Sequence, residues 1–330
     1  MDERRIAVTG GAGFIGAYLV RRLVEAGYHV VVVDNFVRGV PERLDGLEEI
    51  TLATVDILDK NQLTHALKGC RAVFHLAAIN GTENFYLIPD KILQVGVMGM
   101  FNVVEACHHN GIRELVVASS AEAYQTPSVI PTPETEILKV PDPSNPRYSY
   151  GASKLISEVI AMNFHRDFFT KLQIFRPHNI YGPDMGSKHV IPQFILRAIE
   201  LAEKNPEGII RFPIQGDGSE TRAFCYVDDL VEAFMTMFLL GGHREIYHLG
   251  NPEEVSINMV VNEVFANLGR DFEIIHEPIT AGSVSRRCPD ISKVHELGYR
   301  PAVNLREGIQ QTFAWYASHH KLVKSYKDLL

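Results

Sequence analysis

The chain has 330 residues, 46% apolar and 22% charged, which is enough core-forming sequence for about two lobes and too apolar for a disordered chain. Forty acidic against 32 basic residues leave a net charge of −8, which excludes a broadly basic nucleic-acid binder but not a few local arginines that hold an anion. No apolar run reaches the ~20 residues of a membrane span, and Met1-Asp2-Glu3-Arg4-Arg5 leads into Ile6-Ala7-Val8 with no secretory core, so no membrane partner and a cytoplasmic location are expected.

In chain order, strands are expected at residues 5–9, 29–33, 50–54, 72–76, 115–119 and 173–176. Most are compact β-branched runs that suit parallel strands covered on both faces. Helices are expected between them at 14–26, 60–67, 91–109 and 150–169. This alternation predicts an α/β fold with a doubly wound parallel sheet. Residues 126–146 hold six of the 17 prolines and read as an irregular surface loop. Beyond about Gly182, helical segments at 191–202, 228–240, 257–268 and 305–317 alternate with short strands and Gly/Pro loops, which predicts a smaller α/β C-terminal lobe. The expected division is 1–182 mainly for a cofactor domain and 183–330 mainly for a substrate lobe, with some chain crossing back. The scattered Cys70, Cys107, Cys225 and Cys288 have no Cys-x-x-Cys spacing and are expected reduced and mostly buried; no metal site is expected.

The first strand runs into Thr9-Gly10-Gly11-Ala12-Gly13-Phe14-Ile15-Gly16, a glycine turn that opens a helix. Such a turn lets the backbone approach a pyrophosphate at the positive helix end, and its strand–turn–helix setting makes it more than a lone pattern. The second strand ends in Asp34, whose carboxylate can accept both hydrogen bonds of a ribose diol and would repel a 2′-phosphate. NAD is therefore expected, with Arg38 nearby leaving NADP open. Asp56, after the third strand, is a candidate for the adenine amino group or an ordinary turn residue. His75-Leu76-Ala77-Ala78 ends the fourth strand with small residues that leave room for a cofactor.

Tyr150-Gly151-Ala152-Ser153-Lys154 places a phenol and an ammonium one helical turn apart on one face. The ammonium is expected to lower the phenol pKa, so that Tyr150 can take a proton from a sugar hydroxyl while hydride leaves the same carbon. Ser120, at the end of the fifth strand, could bond the reacting oxygen, or simply serve a strand-end turn. The three signals share the order and spacing of one site at the carboxyl ends of parallel strands.

Taken together, these residues resemble the extended short-chain dehydrogenase/reductase family that acts on nucleotide sugars, over nearly all of the chain. The resemblance extends to Ser119–Tyr124, Arg176-Pro177-His178-Asn179-Ile180-Tyr181-Gly182-Pro183, and Gly216-Asp217-Gly218 through Asp229. It implies a Rossmann-type sheet, tightly held NAD, a nucleotide-sugar substrate with UDP favoured, and a homodimer formed through helices 91–109 and 150–169. It further implies catalysis by Ser120, Tyr150 and Lys154, and a cofactor wall of Gly10, Gly13, Phe14, Ile15, Gly16, Asp34, Asn35, Asp56, Ile57, Leu76, Ala77, Ala78, Tyr150, Lys154 and Pro177. Asn179, His189, Val190, Arg222 and Arg287 would face the substrate.

The family's shared step is oxidation at sugar C4. A C4 ketone acidifies the hydrogens on C3 and C5, where a carboxylate can act as base. Glu122 stands where family dehydratases carry such a base, but Ala121 precedes it instead of their usual aspartate. The leading reading is an NAD-dependent nucleotide-sugar epimerase. The alternatives are a 4,6-dehydratase, a UDP-glucuronate decarboxylase or a 3,5-epimerase using Glu122, the last with His189 or Lys188 as acid. His189 reads equally as a helix N-terminal residue that meets the nucleotide through its backbone. A rival of another kind is an NAD(H)-sensing regulator on the same fold. Gln125 and Pro177 depart from the family's glycine and aromatic at those places.

Overall fold

The computed structural model describes residues 2–278 and 285–327. Seven strands form one fully parallel sheet: β1 (Arg5–Thr9), β2 (His29–Asp34), β3 (Ile50–Thr54), β4 (Ala72–His75), β5 (Glu114–Ala118), β6 (Lys171–Pro177) and β7 (Glu245–Leu249). Their spatial order is β7-β6-β5-β4-β1-β2-β3. The apolar runs are continuous because both faces are covered. Ile6, Val8, Val30, Val32 and Phe74 meet Leu19, Val20 and Leu23 of helix Phe14–Glu25 and Phe234 and Phe238 of helix Val227–Leu240. The alternate residues Ala7, Val31, Val33, Val73 and Val117 meet Leu63, Met100, Val103 and Ile160 of helices Lys60–Ala66, Gly99–Asn110 and Ser149–Asn163.

The chain leaves β1 toward β3 on one side and crosses back to β4 through β7 on the other. The strand order therefore reverses between β1 and β4, which opens a crevice outside the strand carboxyl ends. A third core lies beside the sheet. It joins Ile195 of helix Val190–Lys204, Phe212 of strand Ile210–Gln215, Phe265 of helix Ile257–Leu268 and Tyr316 of helix Leu305–Lys327. Among the described residues no helix is long and apolar enough to cross a membrane. All four cysteines are free and buried.

Three expectations need correction. Residues 91–109 are not one helix: Pro89–Leu93 and Gly99–Asn110 flank a widened turn at Gln94–Met98. There Gly96 lies so close to Ser153 that a Cβ would sit 2.6 Å from the Ser153 Cβ. The helix expected to run to 169 ends at Asn163, where the chain turns through His165 at φ +50°. The sheet gains β7, an edge strand beyond the six expected, from the region read as the second lobe.

Candidate active site

The glycine turn is sterically fixed. Gly10 takes φ +71°, and a Cβ on Gly16 would lie 2.1 Å from the Gly10 carbonyl oxygen. Gly13 begins the helix Phe14–Glu25 without a side-chain cap, leaving its first N–H groups directed to the crevice. Gly10 has no room for a side chain, because a Cβ there would approach the Ala77 Cα to 2.8 Å. At the far end of the turn Asp34 is buried; Ala12 N–H donates to its Oδ2 at 3.0 Å and Phe36 N–H to its Oδ1 at 2.9 Å. Asn35 Nδ2 donates to Asp56 Oδ2 at 3.0 Å, which ties the ends of β2 and β3 together. A turn without room for side chains, a helix N-terminus and a buried carboxylate fit a dinucleotide.

The crevice is a cleft of about 870 Å³. It is lined on one side by Gly10, Gly13, Phe14, Ile15, Gly16, Asp34 and Asn35, and along the strand ends by Asp56, Ile57, Leu76, Ala77, Ala78 and Pro177. Ser120, Glu122, Tyr150, Lys154, Asn179, His189 and Arg287 complete it. Val190 and Arg222 are not on its described lining. Asp34 holds the turn through two bonds and still offers lone pairs to a ribose diol. Replacing it with Ala is expected to weaken NAD binding much more than NADP binding, read by calorimetry; equal losses would contradict a ribose contact.

Lys154 Nζ donates to the Ala118 carbonyl at 2.7 Å and lies 5.8 Å from the Tyr150 ring centroid. Burial pushes the Tyr150 phenol up to about 12, with the Ser120 hydroxyl pulling it down and Glu122 adding to the rise. The expected lowering by Lys154 is therefore not what this geometry delivers: burial dominates, and the groups that lower the phenol are Ser120 and Arg38. Burial also draws the Lys154 ammonium down to about 8, opposed by Glu158. Tyr150 can hold a proton at neutral pH, with Ser120 and Arg38 favouring its ionised oxygen.

At the other end Glu122 pairs with Arg287. Burial opposes the Glu122 charge, but Arg287, Arg147 and Arg222 more than offset it and hold the carboxyl below its usual range. Arg287 and Arg222 are register partners on neighbouring parallel strands, and Arg222 Nη1 donates to the Thr221 carbonyl at 2.7 Å. Arg286, the other arginine of the pair, is taken up by Glu254 at 2.5 Å. Asn179, at φ +44°, donates from Nδ2 to the Ala223 carbonyl at 3.0 Å. His189 precedes helix Val190–Lys204, and burial with Arg38 nearby lowers its imidazole, so it is neutral. Lys188 pairs instead with Glu83 at 2.5 Å. Gln125 adopts φ +58°, a conformation that suits glycine, and its Nε2 donates to the Glu122 carbonyl at 2.6 Å.

Sequence reasoning missed two contributors. Helix Thr82–Leu87 brings Phe85 flat against Tyr150, with centroids 5.2 Å apart at 9°. Helix Leu305–Lys327 brings Trp315, Tyr316 and His319 to the cleft, near Arg43, whose Nε pairs with Asp184 at 2.6 Å. Neither has a local motif; both come from chain distant in sequence.

Residues 6–250 match the NAD dependent epimerase/dehydratase family. A UDP-glucuronic acid decarboxylase 1 of Arabidopsis thaliana is 33% identical over 308 residues, 92% of this chain and 68% of its own. A putative UDP-glucose 4-epimerase of Methanocaldococcus jannaschii is 31% identical over 320 residues, 96% of this chain and 99% of its own. The crystal structure of a UDP-glucose 4-epimerase with UDP-glucose from Thermotoga maritima superposes with TM-score 0.84 at 30% identity, covering 96% of this chain and 99% of that one. With the reversed parallel sheet, the glycine turn and the Tyr150–Lys154 face already in place, these matches settle the family: the chain is an NAD-dependent enzyme of the epimerase/dehydratase family.

Proposed function

We propose that the protein is a nucleotide-sugar 4-epimerase acting on a UDP-sugar, with Ser120, Tyr150 and Lys154 as catalytic residues. Held by the glycine turn and Asp34, NAD would supply reversible hydride exchange at sugar C4 and, when oxidised, a positive charge that favours the phenolate. Tyr150 takes the C4 hydroxyl proton and gives it back, Ser120 bonds the same oxygen, and the Lys154 ammonium supports the negative charge. The glycine turn and Asp34 hold the cofactor; Asn179, His189 and Arg287 face the nucleotide-sugar, with Arg222 behind. The observation that carries the reading is Glu122. Its carboxylate is held as an anion by guanidinium groups, which makes it a weak base for removing a carbon-bound proton and suits it to hold Arg287 in place.

A second reading is supported by the decarboxylase relative: Arg287 leaves Glu122 to hold a sugar carboxylate, or Glu122 serves as base in a dehydratase or 3,5-epimerase. Turnover in D2O separates them. A 4-epimerase is expected to give product with no solvent deuterium on carbon, and Glu122→Gln to leave that pattern unchanged. Deuterium at C5, abolished by Glu122→Gln, would favour a dehydratase or 3,5-epimerase; loss of the carboxyl would favour a decarboxylase.

The same reading assigns residues 1–182 mainly to cofactor binding and 183–330 mainly to the sugar nucleotide, with β7 and helix Val227–Leu240 crossing back to the sheet. It places the enzyme in the cytoplasm. It also makes the enzyme a homodimer, supported by exposed Met98 and Phe101 beside Ile156 and Val159 on adjacent helices.

A further inference from the structure

Behind the Tyr150–Lys154 face lies a buried ion pair to which the reaction gives no part. Glu158 follows Lys154 by four residues on helix Ser149–Asn163, so the two share a face. Arg176 on β6 donates to its carboxylate twice, at 2.8 Å from Nε and 2.6 Å from Nη2, and Ser119 Oγ donates to it as well. The side chains are 3% and 6% exposed for Arg176 and Glu158. Arg176 also donates to the Tyr124 oxygen, and Tyr124 meets His248 Nε2 on β7 at 2.6 Å. The helix and the ends of β5, β6 and β7 are thus joined at a point one residue from Ser120 and one turn from Lys154. A buried ion pair is weak evidence for stability, since apolar replacements of similar volume often do as well.

We propose that Glu158 is a positioning residue for the Tyr150–Lys154 pair: it ties their helix to the strand end that carries Ser120 and sets its negative charge against the Lys154 ammonium. The other groups that face Lys154 supply no such charge. Tyr150 lies on its own helix, the Ala118 carbonyl is neutral, and His75 at the end of β4 is held neutral by burial, at about 3. Among the described residues Glu158 is the charge that favours the ammonium against burial. The inference rests on the catalytic reading of Tyr150 and Lys154, but its test does not depend on the sugar.

The test is NMR titration of holoenzyme labelled with 13C-lysine, the Lys154 signal being identified by its loss in Lys154→Met. Glu158→Gln is expected to lower the Lys154 midpoint, an about tenfold weaker hold on the proton. Arg176→Gln leaves the Glu158 charge unbalanced and is expected to raise it. A midpoint unchanged in either variant, with native circular dichroism, overturns the proposal; if Glu158→Gln does not fold, Arg176→Gln decides. Midpoints that move in these opposite directions while no UDP-sugar is turned over would uphold the positioning role and reject the epimerase reading.

Discussion

Replacing Tyr150 with Phe is expected to reduce sugar turnover by about 10²- to 10⁴-fold while leaving NAD bound, because the change removes one oxygen and nothing else. The ring keeps its place: it is stacked on Phe85 and buried, and Phe fills the same volume. What disappears is the group that carries the C4 hydroxyl proton. Lys154 bonds to the Ala118 carbonyl and His75 is neutral and bonded to Thr9, so neither is placed to substitute. Steady-state turnover, together with NAD content measured on the purified variant, checks this. Turnover at the wild-type rate would remove Tyr150 as the proton carrier and contradict the proposed mechanism.

The second large effect is expected at Gly16. Alanine is normally the better helix residue by about 1 kcal/mol. Here its Cβ would lie 2.1 Å from the Gly10 oxygen and 2.8 Å from the Gly11 Cα, both backbone atoms that no side-chain rotation can clear. The turn must open, at a cost of about 1–3 kcal/mol as for other overpacked sites, which outweighs the helical gain. Gly16→Ala is therefore expected to lower Tm and to abolish NAD retention, read by thermal unfolding and by the absorbance of released cofactor. Full retention of NAD would mean that the turn is not its seat.

How far the sequence foretold this arrangement depends on how local each feature is. β1, β2, β4, β5 and β6 were legible because strands covered on both faces are largely apolar, β3 from its β-branched run at the exposed edge, and the glycine turn because no other residue fits it. β7 was not: Glu245 and Ile246 are half-buried at a sheet edge, and its partner β6 is far away in the chain. Helix Ser149–Asn163 was read too long since Phe164, Phe168 and Phe169 are apolar for another reason, packing on the core below. At the site, Ser120, Tyr150 and Lys154 could be named from their order and spacing taken together with the family resemblance. The stack of Phe85, the contribution of Trp315 and the pairing of Glu122 with Arg287 arise from tertiary contacts that leave no mark on local sequence. The phenol's rise is of the same kind, since the Tyr-x-x-x-Lys spacing says nothing of how deeply the ring is buried.

The most direct test follows the carbon-bound hydrogen. A UDP-sugar carrying deuterium at C4 is incubated with the NAD-loaded enzyme in ordinary water, and the product is read by mass spectrometry and NMR. The epimerised sugar is expected to keep its deuterium at C4. Epimer formed with that deuterium lost to water would contradict hydride transfer beside Tyr150.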